Sequence, residues 1–253
     1  MQEHCSLCPA RTALTCDDGG MTEVRRTRAE ARVHQIETIK STSRRLMAKS
    51  GAPALSLREV AREMGLVSSA IYRYFPTRDD LLTALIVDAY NDLGAAAERA
   101  WGRAASLDAR GRLHRVARSI RQWARANPHE YALIYGSPIP GYEAPELTIE
   151  SATRVTAVLA RIVTDAWGAS SSHGRARVAA VLPVGMLDRR GFEAVMPGVP
   201  DLVRARGLIV WTQIFGFVSF EMFGHYKGSV RNAHRYFDLV VDEMADLVLP
   251  PSG

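Results

Sequence analysis

Four polar side chains of different reach lie close together in the stretch VSSAIYRYF, residues 67–75. Ser68 and Ser69 carry short hydroxyls, Tyr72 carries a phenol and Arg73 carries a guanidinium. Groups of these kinds can hydrogen-bond to base edges in a major groove and to phosphate oxygens. The alternative interpretation is an ordinary solvated face at the corner of a helical hairpin.

The segment before this stretch is predicted to be a helix over residues 57–64 that ends in a tight turn. Ser56 and Glu59 have the spacing of a capping box at its start. Gly65 can adopt the left-handed conformation that a β-carbon disfavours at the end of a helix. A short connection that contains a glycine is typical of a helix-turn-helix.

The stretch itself is predicted to be a short helix over residues 68–75, with Ser68 as its N-cap. Ile71 and Phe75 are one turn apart and are expected to pack inward. Pro76 disfavours helical geometry at the residue before it, so the helix must end there. The polar side chains would then be presented outward.

A third helix, predicted over residues 78–101, supports the short one from the other side. Thr77 and Asp80 form a second capping pattern at its start. Arg78 begins this helix, where its guanidinium is placed to meet a phosphate.

Positive charge is concentrated in the same part of the chain. The formal net charge is +5, and residues 21–80 hold 12 Lys and Arg against 7 Asp and Glu. Arg25, Arg26, Arg28 and Arg32 form a basic arm that either lies along nucleic acid or is merely solvated. A basic patch attracts polyanions because binding releases counterions from phosphates. A solvated basic surface remains the alternative.

Residues 39–85 resemble the N-terminal DNA-binding domain of the TetR family of transcriptional regulators. The resemblance lies in Gly51 and the stretches LSLREVAREMGL and IYRYFPTRDDLL. It implies a double-stranded DNA operator as partner. It implies phosphate contacts for Tyr72, Tyr74 and Arg78, with Arg78 in place of the usual lysine. It also implies base-edge positions for Val67, Ser68, Ser69 and Arg73, and a base or phosphate contact for Arg58.

The rest of the chain reads as helical, without period-2 strands, over these ranges: 27–50, 108–126, 129–135, 147–168, 175–187, 201–226 and 231–248. HEYALIYGSPIPGYEAP and WTQIFGFVSFEMFGHY resemble the branch of the family with a WHG-type C-terminal domain, although Phe215 replaces the histidine of Trp…His-Gly. The expected fold is all-α, with an N-terminal three-helix helix-turn-helix domain and a C-terminal helical bundle. The expected division is a disordered leader at 1–20, a DNA-binding domain at 21–80, and a dimerisation and effector domain at 81–253.

Two features of the C-terminal part bear on its partners. The helix at 201–226 is apolar around much of its circumference, which favours a subunit interface and hence a homodimer. The resemblance suggests a cavity for a small apolar effector, with Trp123, Tyr135 and Phe215 as candidate ligand-binding residues. Core packing is the alternative for these aromatic rings.

Several polar features have competing interpretations. Arg112, Arg115, Arg118, Arg121 and Arg125 form a stripe whose favoured interpretation is a solvated outer face, and a second anion contact is the alternative. Glu221 and His225 are spaced for a local polar contact. His4, Cys5, Cys8 and Cys16 hold four zinc-type ligands, but their irregular spacing favours a leader with no metal, and Met21 could be the working start.

No nucleophile–base set, phosphate loop or HExxH pattern occurs, so we expect neither an enzyme nor a cofactor. No apolar window of about 20 residues and no signal-type h-region occur, so we expect no membrane partner and a cytoplasmic location. The resemblance implies a ligand-responsive repressor acting as a homodimer on a palindromic operator. A transcriptional activator, a nucleoid-type organiser, or a helical small-molecule-binding protein with a degenerate DNA-binding domain are the alternatives.

Overall fold

The computed structural model describes residues 27–170 and 186–249, and these residues form α-helices and short 3-10 turns without a strand. This confirms the predicted all-α class. The predicted leader at 1–20, Arg25, Arg26 and most of the predicted helix at 175–187 lie outside the described residues. The helices are α1 (Arg28–Ser50), α2 (Leu57–Glu63), α3 (Ser68–Tyr72), α4 (Arg78–Gly102), α5 (Ala109–Ala126), α6 (Pro128–Tyr135), α7 (Ile149–Ala169), α8 (Arg189–Val195), α9 (Asp201–Met222) and α10 (Ala233–Val248).

The first four helices enclose an apolar core of their own. Ile39 of α1, Val60 of α2, Ile71 of α3 and Leu82 of α4 are completely buried in it. Leu133 of α6 and Ile139 of the loop after it belong to the same cluster, although they come from the C-terminal half of the chain. The N-terminal helices therefore share their core with α6 and its loop.

Helix α4 connects this core to the C-terminal bundle. Thr77 and Asp80 form the predicted capping box, in which Asp80 Oδ2 accepts from the Thr77 amide at 2.9 Å. Leu82 of its first half packs in the N-terminal core, and Leu93 of its second half packs in the C-terminal core. One continuous helix thus carries both packing surfaces.

The C-terminal bundle consists of α4, α5, α7, α9 and α10. Helices α4 and α7 approach closely at Gly94, where a β-carbon would lie 2.8 Å from Arg154 Cβ. Arg154 reinforces the contact, because its guanidinium donates to both carboxylate oxygens of Glu98 at 2.9 and 2.6 Å.

Ion pairs join α5 to α9 and α10, and they correct the prediction of a solvated arginine stripe. Arg121 is buried and donates two hydrogen bonds of 2.6 Å to Glu221 of α9. Arg118 donates to Asp238 of α10 at 2.8 Å. Arg112 Nη1 lies 3.8 Å from Asp165 Oδ2 of α7. Three of the five stripe residues therefore hold the bundle together.

Other local predictions are also corrected. Ser56 occupies the N-cap position of α2, but its side chain makes no capping hydrogen bond. Ser68 is already the first residue of α3, and Val67 occupies the cap position there. Helix α3 ends at Tyr72 and α9 at Met222, earlier than predicted. Helix α8 lies outside the ranges predicted to be helical. Glu221 pairs with Arg121, across the bundle, instead of with His225.

Candidate functional site

The five residues of α3 are held from behind and exposed in front. Ile71 is completely buried, and Phe75 just after the helix is 6% exposed. On the other side Val67 is 72% and Tyr72 is 43% exposed, and Arg73 is also exposed. An exposed apolar side chain beside an exposed phenol and guanidinium, on a rigid support, is suited to contact with another molecule.

The turn between α2 and α3 has the geometry that fixes their relative direction. Gly65 has φ +66°, in the left-handed region. The Leu66 amide donates to the carbonyl oxygen of Ala61 at 2.9 Å, and the Gly65 amide donates to that of Arg62 at 3.1 Å. This pair of hydrogen bonds is the Schellman motif, in which glycine is favoured because the position requires positive φ. The predicted helix-turn-helix is therefore present.

The polar groups of α3 are free to bind another molecule. Within the described part of the chain, the side chains of Ser68, Ser69, Tyr72 and Arg73 have no hydrogen-bonding or ionic partner. Arg58 of α2 is likewise exposed and unpaired within those ranges. Five predicted site residues thus present donors or acceptors to solvent.

Tyr74 lies beside Arg32, one residue of the predicted basic arm. The guanidinium carbon of Arg32 is 5.2 Å from the centroid of the Tyr74 ring, a cation–π contact. The arm was recognised in the sequence, but its contact with Tyr74 was not, because the two residues are far apart along the chain. The contact places a positive charge of α1 next to the end of α3.

Arg78 has a structural role that sequence reasoning missed. Its Nε donates to the carbonyl oxygen of Leu55 at 2.9 Å, and its Nη2 donates to that of Pro53 at 3.1 Å. The guanidinium therefore joins the start of α4 to the turn before α2. Its Nη1 lies 3.7 Å from Asp79 and retains donors for a phosphate.

A set of ion pairs fixes α1 against α4 behind the helix-turn-helix. Lys40 Nζ lies 2.8 Å from Asp88 Oδ2, and Arg44 contacts the same carboxylate. Burial of Lys40 disfavours its charged form and lowers its pKa. The hydrogen bonds to Asp88 and Glu37 outweigh this effect of burial, so that the pKa of Lys40 is raised. A cation so stabilised keeps α1 in register with α4 at neutral pH.

Two family matches cover most of the chain. Residues 39–85 match the family described as bacterial regulatory proteins, tetR family. Residues 113–244 match the family described as tetracyclin repressor-like, C-terminal domain. The chain belongs to the TetR family of transcriptional regulators. The resemblance to this family that the sequence showed is therefore confirmed for both parts of the chain.

Curated relatives of this TetR-family chain are also regulators. An HTH-type transcriptional regulator of Mycobacterium tuberculosis is 40% identical over 205 residues, which span 79% of this chain and 85% of the relative. A Mycobacterium bovis protein with the same description has the same identity and coverage. The family and these relatives are thus transcriptional regulators, not enzymes.

Solved structures share the fold. The regulatory protein SCO4313 is 29% identical, with a TM-score of 0.68 over 87% of this chain and 100% of that chain. The TetR-family regulator PfmR of Thermus thermophilus is 20% identical, with a TM-score of 0.52 over 81% of this chain and 97% of that chain. Within residues 27–170 and 186–249, no helix is long and apolar enough to cross a membrane.

The three predicted effector residues of this TetR-family regulator do not share one surface. The rings of Tyr135 and Phe215 are in contact, with centroids 4.5 Å apart, and Phe215 also packs on Trp211 at 5.6 Å. Trp123 instead lines a groove of about 910 Å³ along α5, beside Arg115. The apolar Phe215, in place of the branch's histidine, joins Tyr135 and Trp211 in an aromatic cluster.

Burial keeps the phenols of this aromatic region protonated. It raises the pKa of Tyr131 to about 12, although the hydrogen bond with Ser219 Oγ at 2.8 Å works in the other direction. Burial, with the nearby Tyr90 and Tyr131, also raises the pKa of Tyr135. These hydroxyls therefore remain neutral hydrogen-bond donors at physiological pH.

Proposed function

We propose that this TetR-family regulator is a ligand-responsive repressor that binds a palindromic double-stranded DNA operator as a homodimer. The observation that carries the proposal is the face of α3, where Tyr72 and Arg73 are exposed and unpaired in the described ranges while Ile71 is buried behind them. The division into a DNA-binding domain at 21–80 and a dimerisation and effector domain at 81–253 belongs to the same proposal.

The proposed DNA contacts follow from reach and position. Val67, Ser68, Ser69 and Arg73 line the exposed side of α3 and would meet base edges in the major groove. Tyr72, Tyr74 and Arg78 would contact phosphates, and Arg58 of α2 would reach the backbone or a base. Arg32, stacked on Tyr74, would add charge at the same phosphate.

The homodimer is supported by an apolar face on the last two helices. Ile209 and Phe220 of α9 and Leu239 of α10 are about half exposed, at 46%, 52% and 53%. Side chains of this size on two adjacent helices favour burial against a second copy of the same face. A two-fold dimer would place two α3 helices about 34–36 Å apart, one turn of DNA.

Repression and release would depend on a small effector. A dimer in which the α3 helices match successive major grooves binds DNA, and an effector that favours another spacing shifts the population away from it. The exposed polar groups of α3 support the proposed DNA binding, and the aromatic residues around Tyr135 support the proposed effector binding.

Selection from random-sequence DNA tests this function. The wild-type chain should enrich two inverted half-sites, and a reporter carrying the enriched site at a promoter should be repressed when the protein is expressed. Enrichment of a site with increased reporter output would identify an activator. No enrichment of any sequence would contradict the proposal and favour a non-specific DNA organiser.

A further inference from the structure

A cleft of about 550 Å³ lies between the end of α1, with the turn after it, and the C-terminal part of the chain. Three separate segments of the chain form its walls: the end of α1 with the turn after it, α6 with the loop after it, and the corner after α9. Its main side chains are Met47, Pro53, Leu133, Tyr135, Ile139 and Phe223. The cleft therefore touches both parts of the molecule.

The lining defines the chemistry of an occupant. Among the residues that the structure describes, those around the cleft include no aspartate, glutamate, lysine or arginine. Its polar side chains include His129, Tyr135 and His225, and within the described residues none of the three has a hydrogen-bond partner. A volume of this size, lined by apolar side chains together with a few hydrogen-bonding ones, suits a small organic molecule.

The N-terminal wall of the cleft is connected directly to the DNA-binding helices. Pro53 lines the cleft, and its carbonyl oxygen accepts a hydrogen bond of 3.1 Å from Arg78. Arg78 also holds the carbonyl oxygen of Leu55, which precedes α2. A shift of this turn would therefore be passed to the start of α4 and to α2 on either side of α3.

The opposite wall is connected to the same core. Leu133 and Ile139 line the cleft and also pack in the N-terminal core with Ile71 of α3. Tyr135, the next wall residue, contacts Phe215 of α9 within the bundle. A molecule in the cleft would thus contact side chains whose packing reaches both α3 and α9.

We propose that this cleft binds a small, largely apolar molecule carrying a hydrogen-bond-accepting oxygen, and that its occupancy changes DNA affinity. The histidine rings and the Tyr135 hydroxyl supply the donors. The consequence for DNA rests on the proposed function, whereas binding in the cleft does not. This site lies at the junction of the two parts, and Trp123, on the α5 groove, takes no part in it.

Substitutions that fill the cleft test the binding step. The probe is 8-anilino-1-naphthalenesulfonate, because this molecule combines apolar rings with acceptor oxygens. Ala132 of α6 lines the cleft, and Ala126 at the end of α5 lines the separate groove. Ala132→Phe and Ala126→Phe make the same chemical change at the two places. Probe fluorescence should saturate with the wild type, weaken at least tenfold with Ala132→Phe and stay within twofold with Ala126→Phe.

The contrary results are equally clear. No saturable binding, equal loss in both variants, or loss only in Ala126→Phe would overturn the cleft as a binding site. If Ala132→Phe does not fold, as judged by circular dichroism, Ser137→Trp fills the cleft from its exposed loop and should also weaken the probe at least tenfold. An unchanged probe affinity in Ser137→Trp would overturn the site.

Linkage tests the coupling step. If occupancy and DNA binding are coupled, the selected operator must change probe affinity by the same factor that the probe changes operator affinity. We expect a factor of at least five in the wild type and none in Ala132→Phe. Independent binding of probe and operator would overturn the coupling. If no operator can be selected, the proposed function fails. The comparison of Ala132→Phe with Ala126→Phe still decides whether the cleft binds the probe.

Discussion

The Nε of Arg78 donates a hydrogen bond of 2.9 Å to the carbonyl oxygen of Leu55, and this contact joins the first residue of α4 to the segment that enters α2. A second bond, to the carbonyl oxygen of Pro53, adds to it. The start of α4 therefore holds the segment before α2 in place, in addition to the turn that joins α2 to α3. The same residue retains donors that could meet a phosphate.

Arg78→Ala should therefore lower stability as well as DNA affinity. Loss of charge-assisted bonds to two carbonyl groups should reduce the free energy of unfolding by about 2 kcal/mol. Urea denaturation measures the change. Arg73→Ala is the matched control, since Arg73 has the same charge and no partner among the described residues. Equal stability of the two variants would mean that the carbonyl contacts contribute little.

Arg73→Ala should lower the affinity for DNA instead of the stability of the fold. A side chain that reads a base edge is worth about 1–3 kcal/mol, so operator affinity should fall roughly 5- to 150-fold, with relaxed specificity at one position. The control is Arg103→Ala, which removes the same charge from an exposed arginine just after α4 whose side chain has no partner among the described residues. A comparable loss in Arg103→Ala would show that only net charge matters.

The bidentate pair between Arg121 and Glu221 should be costly to break from one side. Their side chains are 7% and 16% exposed, so Glu221→Ala leaves a buried guanidinium without its carboxylate acceptor. We expect a loss of about 3–5 kcal/mol in the free energy of unfolding. The double variant Arg121→Met with Glu221→Leu should recover much of it, because no buried charge remains. A double variant as unstable as the single one would show that the pair's charge is not the cause.

A charge placed on the apolar face of α9 and α10 should prevent dimer formation. Leu239→Arg introduces a guanidinium at a residue that is 53% exposed, where a second copy would cover it. Light scattering should report a monomer for this variant and a dimer for the wild type. Leu147→Arg, at a 64% exposed position outside that face, should remain a dimer. A dimer for Leu239→Arg would place the interface elsewhere.

The carboxylate of Asp238 should make the α5–α10 contact sensitive to acid. The hydrogen bond from Arg118 lowers the pKa of Asp238, helped by the nearby His234 and His114. A carboxylate with a depressed folded-state pKa stabilises above its unfolded-state pKa, and that stability is lost as pH falls through the folded-state value. Asp238→Asn should therefore lower the melting temperature at pH 7, with a difference from wild type that shrinks below about pH 4. A difference independent of pH would contradict this.

The capping patterns show which part of the fold could be predicted from local sequence. Thr77 with Asp80 forms the predicted box, whereas Ser56 with Glu59, the same pattern, makes no side-chain cap. Glu59 instead lies 3.8 Å from Arg62, further along its own helix. Local spacing identified both helix starts, but it did not determine which of the two capping boxes forms its hydrogen bonds.

Contacts between distant residues were beyond the reach of sequence patterns. The period of the arginine stripe on α5 gives no sign of Glu221, which lies a hundred residues further along the chain. The aromatic candidates for the effector site were treated as one group, yet Trp123 lies on a different groove from Tyr135. The α3 face was more accessible to prediction, because Gly65, Ile71 and Pro76 determine it within a dozen residues.

The most direct test of the central claim is a fluorescence-anisotropy titration of the selected operator at two salt concentrations, with unlabelled random DNA as competitor. The wild type should hold the operator against the competitor at both salt concentrations. Tyr72→Ala should lose at least tenfold in affinity while its melting temperature is unchanged, because Tyr72 is exposed on α3. Equal, weak binding to operator and random DNA that vanishes as salt rises, and is unaffected by Tyr72→Ala, would contradict sequence reading by α3.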